Sequence, residues 1–179
     1  MKYLILDLET TDLDPASDQI LEIGAIQVND KLQTIGTLRA VVEYDNRPMS
    51  AFVRDMHTKN GLLLEAEHSA DSEAVVDEVL AGWLMGCGAS AEEKVVLAGN
   101  SIHFDHTFLR ARMPKTAALL SHRMLDISAT ARFLRDLIGL ELPNVDMPHR
   151  ARADAELELT DLQNIYEALA SLKGTKRDA

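Results

Sequence analysis

The sequence predicts an α/β domain built on one mixed β-sheet with α-helices packed against it. Three observations carry this. The 179 residues suit one compact domain with a sizeable core. Strand-like segments fill the first 43 residues, and helical patterns fill most of the rest around one further short apolar strand, which is an α/β order. No internal repeat and no low-complexity linker divides the chain.

The elements follow in order. Residues 3–8 form a short apolar run with the pattern of a buried strand, and the turn-rich stretch 11–17 separates it from a β-branched second strand at 19–28. A third strand at 32–43 completes an antiparallel meander. Residues 71–85 carry helical spacing at Val75, Val79 and Leu80, with Trp83 near the end, and Gly86-Cys87-Gly88 stops that helix. Residues 95–98 read as a short buried strand closed by Gly99-Asn100. Helices are expected at 105–112, ended by Pro114, and at 126–137, with a loop at 143–148. The last helix is expected at 151–172, with Ala155, Leu159, Leu162, Tyr166 and Leu169 forming one core-facing stripe. The domain is therefore set at 1–172, with a polar tail at 173–179.

Composition narrows the class. The hydrophobic fraction of 46% is ordinary for a globular chain. No apolar run approaches the ~20 residues of a membrane span. The opening Met1-Lys2-Tyr3-Leu4-Ile5-Leu6-Asp7 turns acidic too soon for a signal peptide. Cys87 is the only cysteine and reads as a small side chain, not a nucleophile; a cytoplasmic setting fits. The formal net charge is −11, and no basic stripe marks a track for long nucleic acid. This balance fits a plain solubility surface. It equally fits acids that hold divalent cations, and a substrate with few phosphates.

Three acidic constellations have chemical content. Asp7 and Glu9 lie two apart in a strand, so their carboxylates share a face. Two adjacent carboxylates repel and are costly to desolvate unless a cation sits between them, and hard oxygen ligands suit Mg²⁺ or Mn²⁺. Asp105 follows the strand and turn Gly99-Asn100-Ser101-Ile102 at the start of a helix. His149 precedes Asp154 by five residues where a loop enters the last helix. Read singly, each has a plain alternative: a solvated strand end, a helix-capping Asp, a surface His with a helix-N-terminal acid.

In combination the segments Asp7-Leu8-Glu9-Thr10, Asn100 to Asp105 and His149 to Asp154 resemble, in order and spacing, the DEDDh 3′→5′ exonucleases of the ribonuclease H-like fold. Ile20-Leu21-Glu22-Ile23-Gly24-Ala25 is similar to the second strand of that group. Met56-His57-Thr58-Lys59-Asn60-Gly61-Leu62, Gly99 to Ile102, Met113-Pro114 and His122-Arg123-Met124-Leu125-Asp126-Ile127-Ser128 look like oligoribonuclease segments. The chain departs from that pattern at Thr10 and Asp12, where Glu-Met-Thr-Gly is replaced by Glu9-Thr10-Thr11-Asp12, at Phe52, where Trp is usual, and at His122, where Tyr is usual. Asp154-Ala155 and Thr160 lean towards proofreading and RNase T-like relatives.

The resemblance implies a ribonuclease H-like sheet of about five strands, the first three antiparallel. It implies hydrolysis of short single-stranded oligoribonucleotides from the 3′ end to 5′-mononucleotides. Asp7, Glu9, Asp105 and Asp154 would hold two divalent cations, Mg²⁺ or Mn²⁺, about 4 Å apart, and His149 would be the general base, as an imidazole titrates near neutrality. Thr10 and Leu13 would meet the 3′ end. Asn100, Ser101, Arg123 and Ser128 would serve the substrate's 5′ side, Arg123 through its phosphate-matching fork. Phe52 and His57 would stack on a base, and His122 would reach across a homodimer interface. Two alternatives stand beside this: a DNA or RNA exonuclease of proofreading or RNase T type, and a non-catalytic nucleic-acid-binding module.

Overall fold

A computed structural model describes residues 3–175. A five-stranded sheet runs in the order β3-β2-β1-β4-β5, from β1 (Tyr3–Thr10), β2 (Ile20–Val28), β3 (Thr34–Val41), β4 (Val95–Gly99) and β5 (Leu120–Asp126). The first three strands form the expected antiparallel meander, and β4 and β5 add in parallel. The helices are α1 (Ala51–Lys59), α2 (Leu62–His68), α3 (Glu73–Gly86), α4 (His103–Arg112), α5 (Pro114–Ala118), α6 (Ile127–Ile138) and α7 (Ala151–Thr175).

The two-residue period of β1 sorts the core. Leu4, Leu6 and Leu8 join one cluster with Leu80, Leu84 and Phe108 of α3 and α4. Ile5 faces the other way, into a cluster with Ile127, Leu134, Ala155, Leu159 and Leu162 of α6 and α7. Asp7 and Glu9 continue the register of Ile5, so they point to the side of the sheet that α7 covers. Every residue of β2 is buried, which explains its largely apolar character, broken only by Glu22 and Gln27.

Small residues set how closely α7 approaches. A Cβ on Gly24 of β2 would lie 2.1 Å from the Ala151 carbonyl oxygen, so the first turn of α7 rests directly on that strand. A Cβ on Gly99 would lie 2.9 Å from the Leu6 carbonyl oxygen, which keeps the end of β4 tight against β1.

Some elements differ from expectation. α1, α2, α5 and β5 carry no clear sequence pattern. α1 buries only His57, and the middle of β5, from His122 to Met124, is exposed. Helix α2 instead contributes Leu62, Leu63 and Ala66 to a small separate cluster with Leu21 and Tyr44. In α3 the buried face is Val76, Leu80, Ala81 and Leu84, whereas Val75 and Val79 are exposed. In α7 the stripe is buried through Ile165, but Tyr166 is 53% exposed and Leu169 38%. The reason is length: 25 helical residues span ~38 Å, while the nine-residue β2 spans ~30 Å. The last turns therefore have no sheet beneath them. Residues 173–175 continue α7 instead of starting a tail, and 176–179, like Met1 and Lys2, lie outside the described residues. Among the described residues no helix is long and apolar enough to cross a membrane.

Candidate active site

Three elements, β1, α4 and α7, bring the acidic residues together. Asp7 and Glu9 project from the C-terminal half of β1. Asp105 stands in the first turn of α4, and its Oδ1 accepts the Leu8 backbone N–H at 3.0 Å. That bond has a topological cause: β4 pairs β1 only from Tyr3 to Ile5, so beyond that point Leu8 has no strand partner on that side. Asp154 lies in the first turn of α7, where its Oδ2 accepts the Arg150 N–H at 3.0 Å. Glu9, Asp154 and His149 each bring one ligand-capable atom within 4.8 Å of the other two.

Electrostatics bind the group more widely. Burial pushes the Asp7 carboxyl well above its ordinary range, and the charges of Asp105, Glu158, Glu9 and Asp154 push it further. Burial, then Asp154 and Glu22, raise Glu9 to about 8. Burial raises Asp105 to about 7 against the bond from Leu8, and it raises Asp154 as well. Asp7 Oδ2 and Asp154 Oδ1 are buried without a hydrogen-bond partner. Buried like charges with orphaned oxygens are stable only when protonated or when a cation joins them. An all-oxygen carboxylate set with one imidazole at its rim fits a hard divalent cation.

Glu158 is a fifth acid, which the sequence reading passed over. It is 1% exposed, its Oε1 accepts the Asn100 backbone N–H at 2.8 Å, and its Oε2 has no partner. Burial lifts its carboxyl to about 9. The available signal was its spacing, since residues four apart share a helix face and Glu158 follows Asp154 by one turn.

A second missed feature orients the start of α7. Glu22, fully buried in β2, accepts Arg150 Nε and Nη2, each at 3.1 Å, and the Ala151 N–H at 2.9 Å. It also pairs with Arg39. The one acid in a largely apolar strand was the signal here. His149, just before this anchor, is exposed and has φ +53°.

The expected substrate residues are distributed as follows. Thr10 is buried at the end of β1, Leu13 is 73% exposed, and Phe52 is 77% exposed. His57 is fully buried, and its Nε2 donates to the Thr10 carbonyl at 3.1 Å. Its ring has no free face for a base, so stacking does not fit it; it supports Thr10 instead. Ser101, at φ +48°, donates its N–H to Ser128 Oγ at 3.3 Å. Asn100 and Ser128 line one cavity with Arg132 and Arg135. His122 lines a different cavity with Lys94, His106 and Arg110, and Arg123 is exposed on β5.

The sheet order and the helices packed on it are those of the ribonuclease H-like fold. The exonuclease family model matches residues 4–160, and the chain belongs to that family. Its sequence is oligoribonuclease-like. It is 33% identical to an oligoribonuclease of Corynebacterium diphtheriae over 182 residues, covering 97% of this chain and 86% of that one. It is 31% identical to an oligoribonuclease of Mycolicibacterium paratuberculosis over 165 residues, covering 88% and 76%. Among solved structures it resembles E. coli exonuclease I in complex with a dT13 oligonucleotide, with a TM-score of 0.72 at 15% identity over 97% of this chain. Exonuclease I from Methylocaldum szegediense gives 0.71 at 16% identity over 93%. The chain spans 43% and 40% of those two structures, and at such identities the likeness speaks for the fold alone.

Proposed function

We propose that this chain is a divalent-metal-dependent 3′→5′ exoribonuclease that hydrolyses short single-stranded oligoribonucleotides to 5′-mononucleotides. The observation that carries the reading is the buried cluster of Asp7, Glu9, Asp105 and Asp154, with orphaned oxygens and His149 at its rim. Similarity to the oligoribonucleases supports the substrate class.

Asp7, Glu9, Asp105 and Asp154 would hold two cations, Mg²⁺ or Mn²⁺. When bound, such cations neutralise phosphate charge and polarise the phosphorus–oxygen bonds. His149 accepts the proton of the attacking water, and its exposed position lets that proton pass to solvent. Leu13 and Phe52, both exposed, present apolar surface to the terminal bases. Thr10 lines the 3′-hydroxyl side. Ser101 and Ser128, already bonded to each other, form the 5′ side with Asn100 and Arg123. His122 faces a different cavity from Ser128, which supports a homodimer in which a partner subunit's copy completes the 5′ pocket. The exonuclease unit is assigned to residues 1–172, in the cytoplasm.

The test is length-resolved digestion with and without EDTA, comparing a 5′-labelled RNA dinucleotide with a single-stranded DNA 20-mer. Chelator-sensitive release of mononucleotides, fastest on the dinucleotide, is expected. A wide preference for the DNA would move the assignment to a proofreading or RNase T type enzyme, and no release at all would leave a binding module.

A further inference from the structure

We propose that Asn60 is a positioning residue for His149, an inference that rests on His149 being the base of the proposed reaction. His149 lies in a segment without regular structure, between the end of α6 at Ile138 and the start of α7 at Ala151. Its φ of +53° is a left-handed conformation that is uncommon for a side chain with a Cβ.

Most of the surrounding bonds act one residue later. Arg150 is held through its side chain by Glu22 and Glu65 and through its N–H by Asp154. These bonds anchor the chain after His149. Two bonds reach His149 itself: Asn60 Nδ2 donates to its carbonyl oxygen, and the Asp154 carboxylate accepts its backbone N–H, so Asn60 supplies the hold from outside α7. The Asn60 backbone carbonyl accepts Arg150 Nη1 at 3.1 Å, which makes the clamp two-pointed. The amide cannot swing away freely, because its Oδ1 accepts the Leu62 N–H at 3.0 Å at the start of α2. Gly61, at φ +80°, makes the turn that allows this reach.

The clamp also ties the base to the metal-binding strand. Asn60 caps the end of α1, and the same helix carries His57, whose ring donates to the Thr10 carbonyl next to Glu9. One element thus touches both the segment that carries the base and the strand that carries Asp7 and Glu9. Asn60 meets no reacting atom in this arrangement; it acts through the peptide that aims the imidazole.

A four-protein cycle on the full chain tests this: wild type, Asn60→Asp, His149→Ala and the double variant, assayed on the RNA dinucleotide. Asn60→Asp keeps an oxygen for the Leu62 N–H but loses the donor to His149. The expected result is a kcat lowered roughly five- to tenfold, the scale of one lost hydrogen bond, with KM, Mn²⁺ affinity by electron paramagnetic resonance and thermal midpoint unchanged. In the His149→Ala background the same change should cost nothing further, since the two residues act as a unit. Asn60→Ala run through the same cycle covers a failure of Asn60→Asp to fold. Wild-type kcat in the Asn60 variants beside an impaired His149→Ala overturns the positioning role. So does an undiminished loss in the His149→Ala background, or a changed Mn²⁺ affinity. Near wild-type turnover of His149→Ala overturns the base assignment itself, and this inference with it.

Discussion

The Asp105 carboxylate accepts the backbone N–H of Leu8, joining the start of α4 to the central strand across 97 positions of sequence. The same side chain adds its charge to the field on Asp7 and Glu9, so it has a structural and an electrostatic duty. Asp105→Asn should separate these duties. The amide oxygen still accepts Leu8, so the thermal midpoint should stay near that of wild type, while Mn²⁺ affinity and turnover collapse. Asp105→Ala leaves Leu8 unsatisfied in a buried place and should also destabilise the fold by about 1–3 kcal/mol. Paired thermal melts and Mn²⁺ titrations check both, and equal stability of the two variants would remove the structural duty.

The raised carboxyls predict an unusual pH dependence. Glu9 at about 8, Asp105 at about 7 and Glu158 at about 9 all lie above the ordinary range near 4 of an unfolded chain. Between those limits the native state holds more protons than the unfolded one, so each group's contribution to stability declines as pH rises. That contribution is whole below about pH 4 and falls away until the folded value is passed, near 7 to 9. The EDTA-treated protein should thus melt at a lower temperature at pH 8.5 than at pH 6, and saturating Mg²⁺ should narrow the gap. A metal-free midpoint that climbs over this range contradicts the assignment. Cation binding near pH 7 should also release protons, measurable by calorimetry in buffers of different ionisation enthalpy.

Glu158 should tolerate loss of its charge but not of its oxygen. Glu158→Gln keeps an acceptor for the Asn100 N–H and ought to match or exceed wild type in thermal midpoint. Glu158→Ala exposes that N–H to an empty space and should cost about 1–3 kcal/mol, with a loss of activity from the loosened Gly99–Asn100 turn. Chemical denaturation of the two variants decides the point; a destabilised Gln variant would show that the charge matters.

Gly24→Ala tests the seat of α7. The added methyl would meet the Ala151 carbonyl at 2.1 Å, which is backbone and has no rotamer to escape into. The first turn of α7 has to lift, carrying Asp154 and His149 away from Glu9. Stability should drop by about 1–3 kcal/mol, and activity should fall by a larger factor than the dinucleotide KM changes. Unchanged kcat would mean that α7 can shift without disturbing the site.

Local sequence was sufficient wherever the physics is local. Alternation along residues 3–10 puts Asp7 and Glu9 on one face of a buried strand, and the β-branched stretch at 19–28 reads as a second strand. The start of α7 follows from the loop before it, so the acids and the histidine were legible in order and spacing. α1 and β5 were not, because a helix burying one residue and an edge strand exposed in its middle carry no periodic signal. The stripe on α7 was read too long, since nothing in a helix's own sequence tells where the sheet beneath it stops.

What the sequence determined by itself is the set of proposed reacting groups and the strand-and-helix frame that presents them. Tertiary structure alone decided how those groups are held. The Asp105–Leu8 bond, Glu22 gripping Arg150 across 128 positions, Glu158 on Asn100 and Asn60 on His149 join segments with no local relationship. Such pairings depend on where folding brings distant backbone groups left without partners, and periodicity and propensity, which act over a few residues, carry no trace of them.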